Sequence, residues 1–187
     1  MGNTATNVST GKPDIEGAVF VAPKGTPVPT DATTALSSAF KCLGYVSSDG
    51  LKNNTEMSTT DIKVWGGAIV YRSLSELNDT FALALLESEN IDVLKTVYGD
   101  ENVTESNGTI IVNVKAEDPI ENVWVFELAL RGNKKKRIVI PSGAITSRDE
   151  ITYSDEDAIA YGITISAYPD SDGSTHKEYI ATAQVSI

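Results

Sequence analysis

A chain of 187 residues with 41% hydrophobic and 22% charged residues fits one domain of ordinary size and excludes a wholly disordered protein. Its formal net charge of −11 argues against ordinary nucleic-acid binding, which depends on Lys and Arg neutralising phosphates. Cys42 is the single cysteine and His176 the single histidine, which excludes an intrachain disulfide and a zinc site of the usual kind.

Residues 1–15 are Asn, Thr, Ser, Gly and Lys with almost nothing apolar, so a flexible N-terminal arm is expected, ordered only where a partner holds it. The start Met1-Gly2-Asn3-Thr4 opens no signal peptide and fits the myristoylation template loosely. No apolar run is long enough for a membrane anchor, and synthesis in a bacterial-type cytosol is expected. Residues 17–22 predict a first short strand, which runs into Pro23, Pro27 and Pro29, where regular ladder pairing stops. A second strand is expected at 42–48, closed by the Asp49-Gly50 turn signal. From Leu51 to Thr60 the chain is polar and aperiodic, which predicts a long loop spanning about 48–68.

Helical signals follow at 88–98, with Ser88 as cap, Glu89 and Asp92 in the first turn and Lys95 in the last. Ile91, Leu94 and Tyr98 form the apolar stripe and Gly99 the stop. Period-two alternation then predicts half-buried strands. Ile110, Val112, Val114 and Ala116 share a face in 109–117. In 121–131, Trp124, Phe126, Leu128 and Leu130 oppose Glu127 and Arg131. In 159–168, Ile159, Tyr161, Ile163, Ile165 and Ala167 align. Residues 62–72, 79–87, 137–146 and 176–183 are weaker strand candidates, and Gly132-Asn133 and Asp170–Gly173 are hairpin connections. The pattern fits a mainly β sandwich or partial barrel with one helix across an open flank.

Chemistry is sparse. His176 carries neither a nucleophile elbow nor a cysteine motif beside it, so it reads as a polar residue at a strand start. Asp155-Glu156-Asp157 and Asp170-Ser171-Asp172-Gly173 miss the calcium-loop spacing and read as solvated turns. Gly66-Gly67 precedes no Lys-Ser/Thr, so no phosphate loop forms there. No catalytic, cofactor or metal residue is therefore named. Lys134-Lys135-Lys136-Arg137 reads as a solvated hairpin tip, or as a basic tip that meets an acidic surface of a neighbouring subunit.

Several segments, in order, resemble the major tail tube proteins of siphophages. They are Gly44–Leu51, Ser58–Gly67, the strand Phe81–Glu87, Val93–Val103, Ile140–Ala144 and Ile163–Pro169, within a similarity spanning Gly17 to Ala183. Val64 stands where the family pattern has an acidic or polar residue, and no additional immunoglobulin-like domain is expected before the end at Ile187. The resemblance implies a single structural domain over 1–187 and no enzyme: a virion subunit made in the host bacterial cytoplasm. It implies hexameric rings that stack around a tape measure protein between tail tip and tail terminator proteins, and that later pass DNA without specific binding. It also implies that the 48–68 loop contacts the next ring, with Asp49, Gly50, Leu51, Lys52, Asp61, Trp65, Gly66 and Gly67 as contact candidates. Alternative readings are a β-sandwich adhesion module, a tail terminator or head decoration protein, and the tube of a contractile tail or secretion system.

Overall fold

Alternating β-branched and aromatic residues place two layers of apolar side chains on one sheet. The computed structural model describes residues 2–14 and 17–182. Their strands are β1 (Lys12–Pro13), β2 (Val19–Pro23), β3 (Lys41–Cys42), β4 (Lys52–Lys63), β5 (Ile69–Leu85), β6 (Val103–Ser106), β7 (Thr109–Val112), β8 (Glu121–Leu130), β9 (Lys134–Arg148), β10 (Tyr161–Ala167) and β11 (Lys177–Ile180). The helix α1 (Ile91–Tyr98) lies between β5 and β6. The main sheet runs β3-β2-β8-β9-β10-β5-β4, with β1 added to β8 and β11 to β9, while β6 and β7 form a separate hairpin. The expected mainly β architecture with one flanking helix is the observed one.

One face of the sheet holds Trp124, Phe126, Ile140, Ile163, Ile165 and Phe81, covered by Val93, Leu94 and Val97 of α1. Phe81 and Phe126 stack at 5.8 Å, and the Trp124 indole N–H donates to the Gly143 carbonyl (3.0 Å). The ladder shift opposite Asn122–Trp124 accommodates Pro141 within β9. The opposite face holds Ala22, Val123, Val125 and Val139, roofed by Val28, Leu36 and Phe40. Strand β8 is thus buried on both faces, not on one as its alternation implies.

That second face buries Glu127, which the alternation sets opposite the apolar residues of the strand. Glu127 and Arg137 are cross-strand partners and both are buried. Arg137 Nε donates to Glu127 Oε1 (2.7 Å), Nη1 to the Asp31 carbonyl (2.8 Å) and Nη2 to the Thr34 carbonyl (2.9 Å). The pair therefore ties the 31–34 roof to the sheet. Burial pushes the Glu127 carboxyl up, and the Arg137 hydrogen bond and charge pull it back only in part.

The helix begins at Ile91, with Asn90 rather than Ser88 as its cap: Asn90 Oδ1 accepts from the Asp92 amide (2.9 Å). Asn90 is held there because its Nδ2 donates to Glu87 Oε2 (2.8 Å). The Glu87 carboxylate also accepts the Tyr45 amide (3.1 Å) and fills the space a Cβ on Gly44 would need. Of the face predicted in 109–117, Ile110 and Val112 pack on the core, but β7 ends at Val112 and Val114 is exposed.

From Ser9 to Asp14 the arm is held by the body. β1 pairs with Leu128 and Ala129 of β8, the Ser9 hydroxyl accepts from the Arg131 amide (2.8 Å), and Asp14 bonds Lys135 (2.8 Å). Ile15 and Glu16, like Met1, lie outside the described residues. The arm's polar composition hid this pairing, because β8 supplies the ladder that the arm's own side chains do not advertise.

Arg137→Met should cost about 3–5 kcal/mol, since it leaves Glu127 buried and uncompensated. The double variant Glu127→Leu/Arg137→Met should recover most of that loss but not all, because the Asp31 and Thr34 carbonyls still lose their donor. Urea denaturation measures both.

Candidate assembly surface

The segment read as a long loop is a two-stranded ribbon. β4 runs for 12 residues and β5 for 17, paired from Lys52↔Ala82 to Lys63↔Ile69. Sequence periodicity missed β4 because neither face of its outer part is buried in the subunit, so no alternation marks it. Thr, Asn and paired charges suffice for a strand when a long partner is available. Asp61 and Arg72 illustrate this with a bidentate bond, Nε to Oδ1 at 2.6 Å and Nη2 to Oδ2 at 3.1 Å. Ladder shifts between Ser58 and Thr59 and between Ile62 and Lys63 insert Ser75 and Val70 as extra residues on β5.

Near its root the ribbon has two chemically different faces. Asn53↔Phe81, Thr55↔Asp79 and Met57↔Leu77 share the face that continues the main core. Beyond the core, Met57 (69% exposed) and Leu77 stand open on it, and past the first shift Leu74 (57% exposed) opposes Thr59 there. Lys52↔Ala82, Asn54↔Thr80, Glu56↔Asn78 and Ser58↔Glu76 make the opposite face. Amides and carboxylates pair within it: Asn54 donates to Glu56 (3.0 Å) and Asn78 to Glu76 (3.1 Å). Toward the tip the first face continues through Asp61–Arg72 and the second through the exposed pair Ile62–Tyr71.

Both long edges of the ribbon are open. β4 ends the sheet order, and β10 covers β5 only from Asp79 to Leu85. Residues 69–78 of β5 therefore carry no second strand among the described residues. The ribbon projects about 30 Å past Asp79 at the usual strand rise.

The ribbon separates the expected contact residues into two groups, Asp49 to Lys52 at its base and Trp65 to Gly67 at its tip, with Asp61 along its length. Gly50 takes φ 72° in the turn at its base, where its amide donates to the Ser47 carbonyl (3.0 Å). Asp49 and Lys52 form an exposed ion pair (3.6 Å), and Leu51 packs partly on the core. Asp61 is engaged by Arg72. Trp65 stands fully exposed at the tip, where Gly66 and Gly67 take φ 107° and 89°, a region that disfavours larger residues.

The basic run lies elsewhere and is not a solvated tip. The turn is Arg131–Asn133, and the four cations begin after it, inside β9. Lys135 pairs with Asp14 (2.8 Å), Lys136 with Glu178 (2.7 Å) and the buried Arg137 with Glu127 (2.6 Å). Neighbouring strands place a carboxylate against each of these three, which sequence adjacency could not reveal. Asp170 does close a backbone-bonded turn as expected, accepting from the Asp172 and Ser174 amides (2.9 and 3.0 Å).

Replacing residues 58–76 by Asn-Gly, which closes the hairpin on the Met57–Leu77 pair, should change the stability of the body by about 1 kcal/mol or less. A thermal melt measures it.

The family model described as phage tail tube protein matches residues 7–186. Among solved structures, the chain is similar to the tail of an empty GTA particle with C6 symmetry: TM-score 0.41, 11% identity, covering 81% of this chain and 90% of that one. It is also similar to the anti-feeding prophage tube-terminating cap: TM-score 0.46, 11% identity, covering 97% and 100%. No curated protein matches the chain.

Proposed function

Because this chain belongs to the phage tail tube protein family, a structural component of the virion rather than an enzyme, we propose that it is the repeating subunit of a siphophage tail tube. Six copies close into a ring, rings stack around a tape measure protein between a tip and a terminator, and the finished tube conducts DNA. Assembly takes place in the host bacterial cytoplasm.

The observation that carries this reading is the ribbon with two open edges. An isolated two-stranded ribbon is marginal in water, and exposed strand edges invite pairing. Joining the β4 edge of one copy to the free β5 edge of the next is a head-to-tail contact that closes when the rotation per subunit divides a full turn. Repeated around the ring, it makes a continuous inner wall. The face with Met57, Leu74, Leu77 and the Asp61–Arg72 pair then turns outward onto subunit bodies, and the face with Lys52, Asn54, Glu56, Glu76 and Asn78, ending in Ile62 and Tyr71, turns to the bore. Trp65, Gly66 and Gly67 at the tip, with Asp49–Lys52 at the base, are the proposed contacts between rings.

Charge supports the same arrangement. A bore lined by Lys or Arg would hold DNA through counterion release. The proposed bore face carries Glu56 and Glu76 against the single cation Lys52, while Lys135, Lys136 and Arg137 are paired within the subunit on β9. At physiological salt its repulsion reaches about 8 Å from the wall, enough to keep phosphates sliding.

Concentrated protein should form hollow tubes of sixfold rings in negative stain, and the variant with 58–76 replaced should remain folded and dispersed. A protein that stays monomeric by light scattering at every concentration, even when seeded with a tail-tip complex, would overturn the reading.

Tubes carrying Glu56→Lys and Glu76→Lys should gain salt-sensitive retention on immobilised duplex DNA, where unaltered tubes pass through. Tight, salt-sensitive retention of the unaltered tubes would count against an acidic bore.

A further inference from the structure

The ribbon leaves the body at Asp79. This residue is the last of β5 to pair with β10, opposite Ala167, and it faces Thr55 across β4. Its side chain is buried, and each carboxylate oxygen is held from a different part of the chain. Oδ1 accepts from Asn53 Nδ2 (2.8 Å) and Thr55 Oγ1 (2.8 Å), both on β4. Oδ2 accepts from Thr175 Oγ1 (2.7 Å) and lies 2.5 Å from His176 Nδ1. Burial alone would raise this carboxyl, but the hydrogen bonds from Thr175, Asn53, Thr55 and His176 outweigh it and hold it below the ordinary carboxylate value. Asp79 is therefore an acceptor at neutral pH, and His176 Nδ1 carries the shared proton.

The two donors facing Oδ2 are themselves fixed. The 170–177 loop is closed on Asp170, which accepts from the Ser174 amide and bonds Lys177 (2.9 Å). The His176 ring meets Phe81 edge-on at 5.1 Å, and β11 follows directly, anchored to β9. Where β5 loses its neighbour β10, this loop takes over with side-chain donors in place of a ladder.

We propose that Asp79 is the positioning residue of the ribbon: by holding β4 on one oxygen and the 170–176 loop on the other, it sets the angle at which the ribbon leaves the body. A two-stranded ribbon without such a tie pivots about its root. With it, the ribbon is a rigid arm whose edges reach a neighbour in one register. The consequence for tubes rests on the ring reading above; the clamp itself is a property of the single subunit.

The test places spin labels at Thr60→Cys on the ribbon and Glu101→Cys on the body, in a Cys42→Ser background, and measures their distance by pulsed dipolar resonance in dilute, unassembled protein. The background should give one narrow distribution. Asp79→Asn turns amide hydrogens onto donors, and should broaden the distribution while hydrogen-exchange protection of Val123–Phe126 stays unchanged. Thr175→Val removes one donor and keeps the carboxylate, so it provides the same reading, with smaller broadening, if Asp79→Asn does not fold. An unchanged width in the folded variants, or loss of protection across Val123–Phe126 in both, overturns the assignment. Broadening in a protein that never forms tubes upholds the clamp and removes the ring reading; normal tubes with an unchanged width do the reverse.

Discussion

Strand β5 is longer than the body can cover, and the rest of the molecule is arranged around that excess. Its inner half, Asp79 to Leu85, has β10 on one side and, as far as Ala82, β4 on the other, and contributes Phe81, Leu83 and Leu85 to the core. Its outer half keeps one partner and no core. Backbone groups in the outer half are satisfied on the β4 side and left open on the other, a state soluble monomers avoid or cover. The body supports this by concentrating burial at the root, where Phe81 stacks on Phe126 and the Asp79 carboxylate is fully occupied.

Charge is sorted in the same way. The strongest local run of cations lies on β9, and three of its four members, Lys135, Lys136 and Arg137, are paired with acids from the arm, β11 and β8. The exposed ion pairs, such as Asp49–Lys52, lie in high dielectric and contribute little to folding. The ribbon also exposes apolar side chains along its length, Met57, Leu74 and Leu77 nearer the root and Ile62, Trp65 and Tyr71 nearer the tip, and these gain by being covered.

Two buried charged clusters divide the labour of the fold. Arg137 draws the irregular 31–34 segment onto the back of the sheet, so a stretch with little secondary structure acts as the roof of the second core layer. Asp79 draws the 170–176 loop onto the front, at the fork where two strands part. In both, one side chain bonds groups from two other chain segments, which makes each a long-range tie that local propensity cannot supply.

Much was legible without coordinates. Alternation in 121–130 and 161–167 marked the central strands, because those residues meet a core on a fixed period. Lys95 and Gly99 marked the helix end, and Asp170 its turn, because those signals act over three or four residues. The ordered resemblance from Gly44 to Pro169 marked the family. Tertiary structure alone decided the rest. Whether the polar stretch 52–63 is loop or strand depended on β5 offering a partner, whether Glu127 is exposed depended on a roof a hundred residues away, and whether Lys134–Arg137 is a free patch depended on acids from three other segments. Periodicity reports burial against the chain's own core. Where a strand's partner surface lies outside the subunit, or a charge's partner lies far along the chain, sequence carries no periodic trace of it.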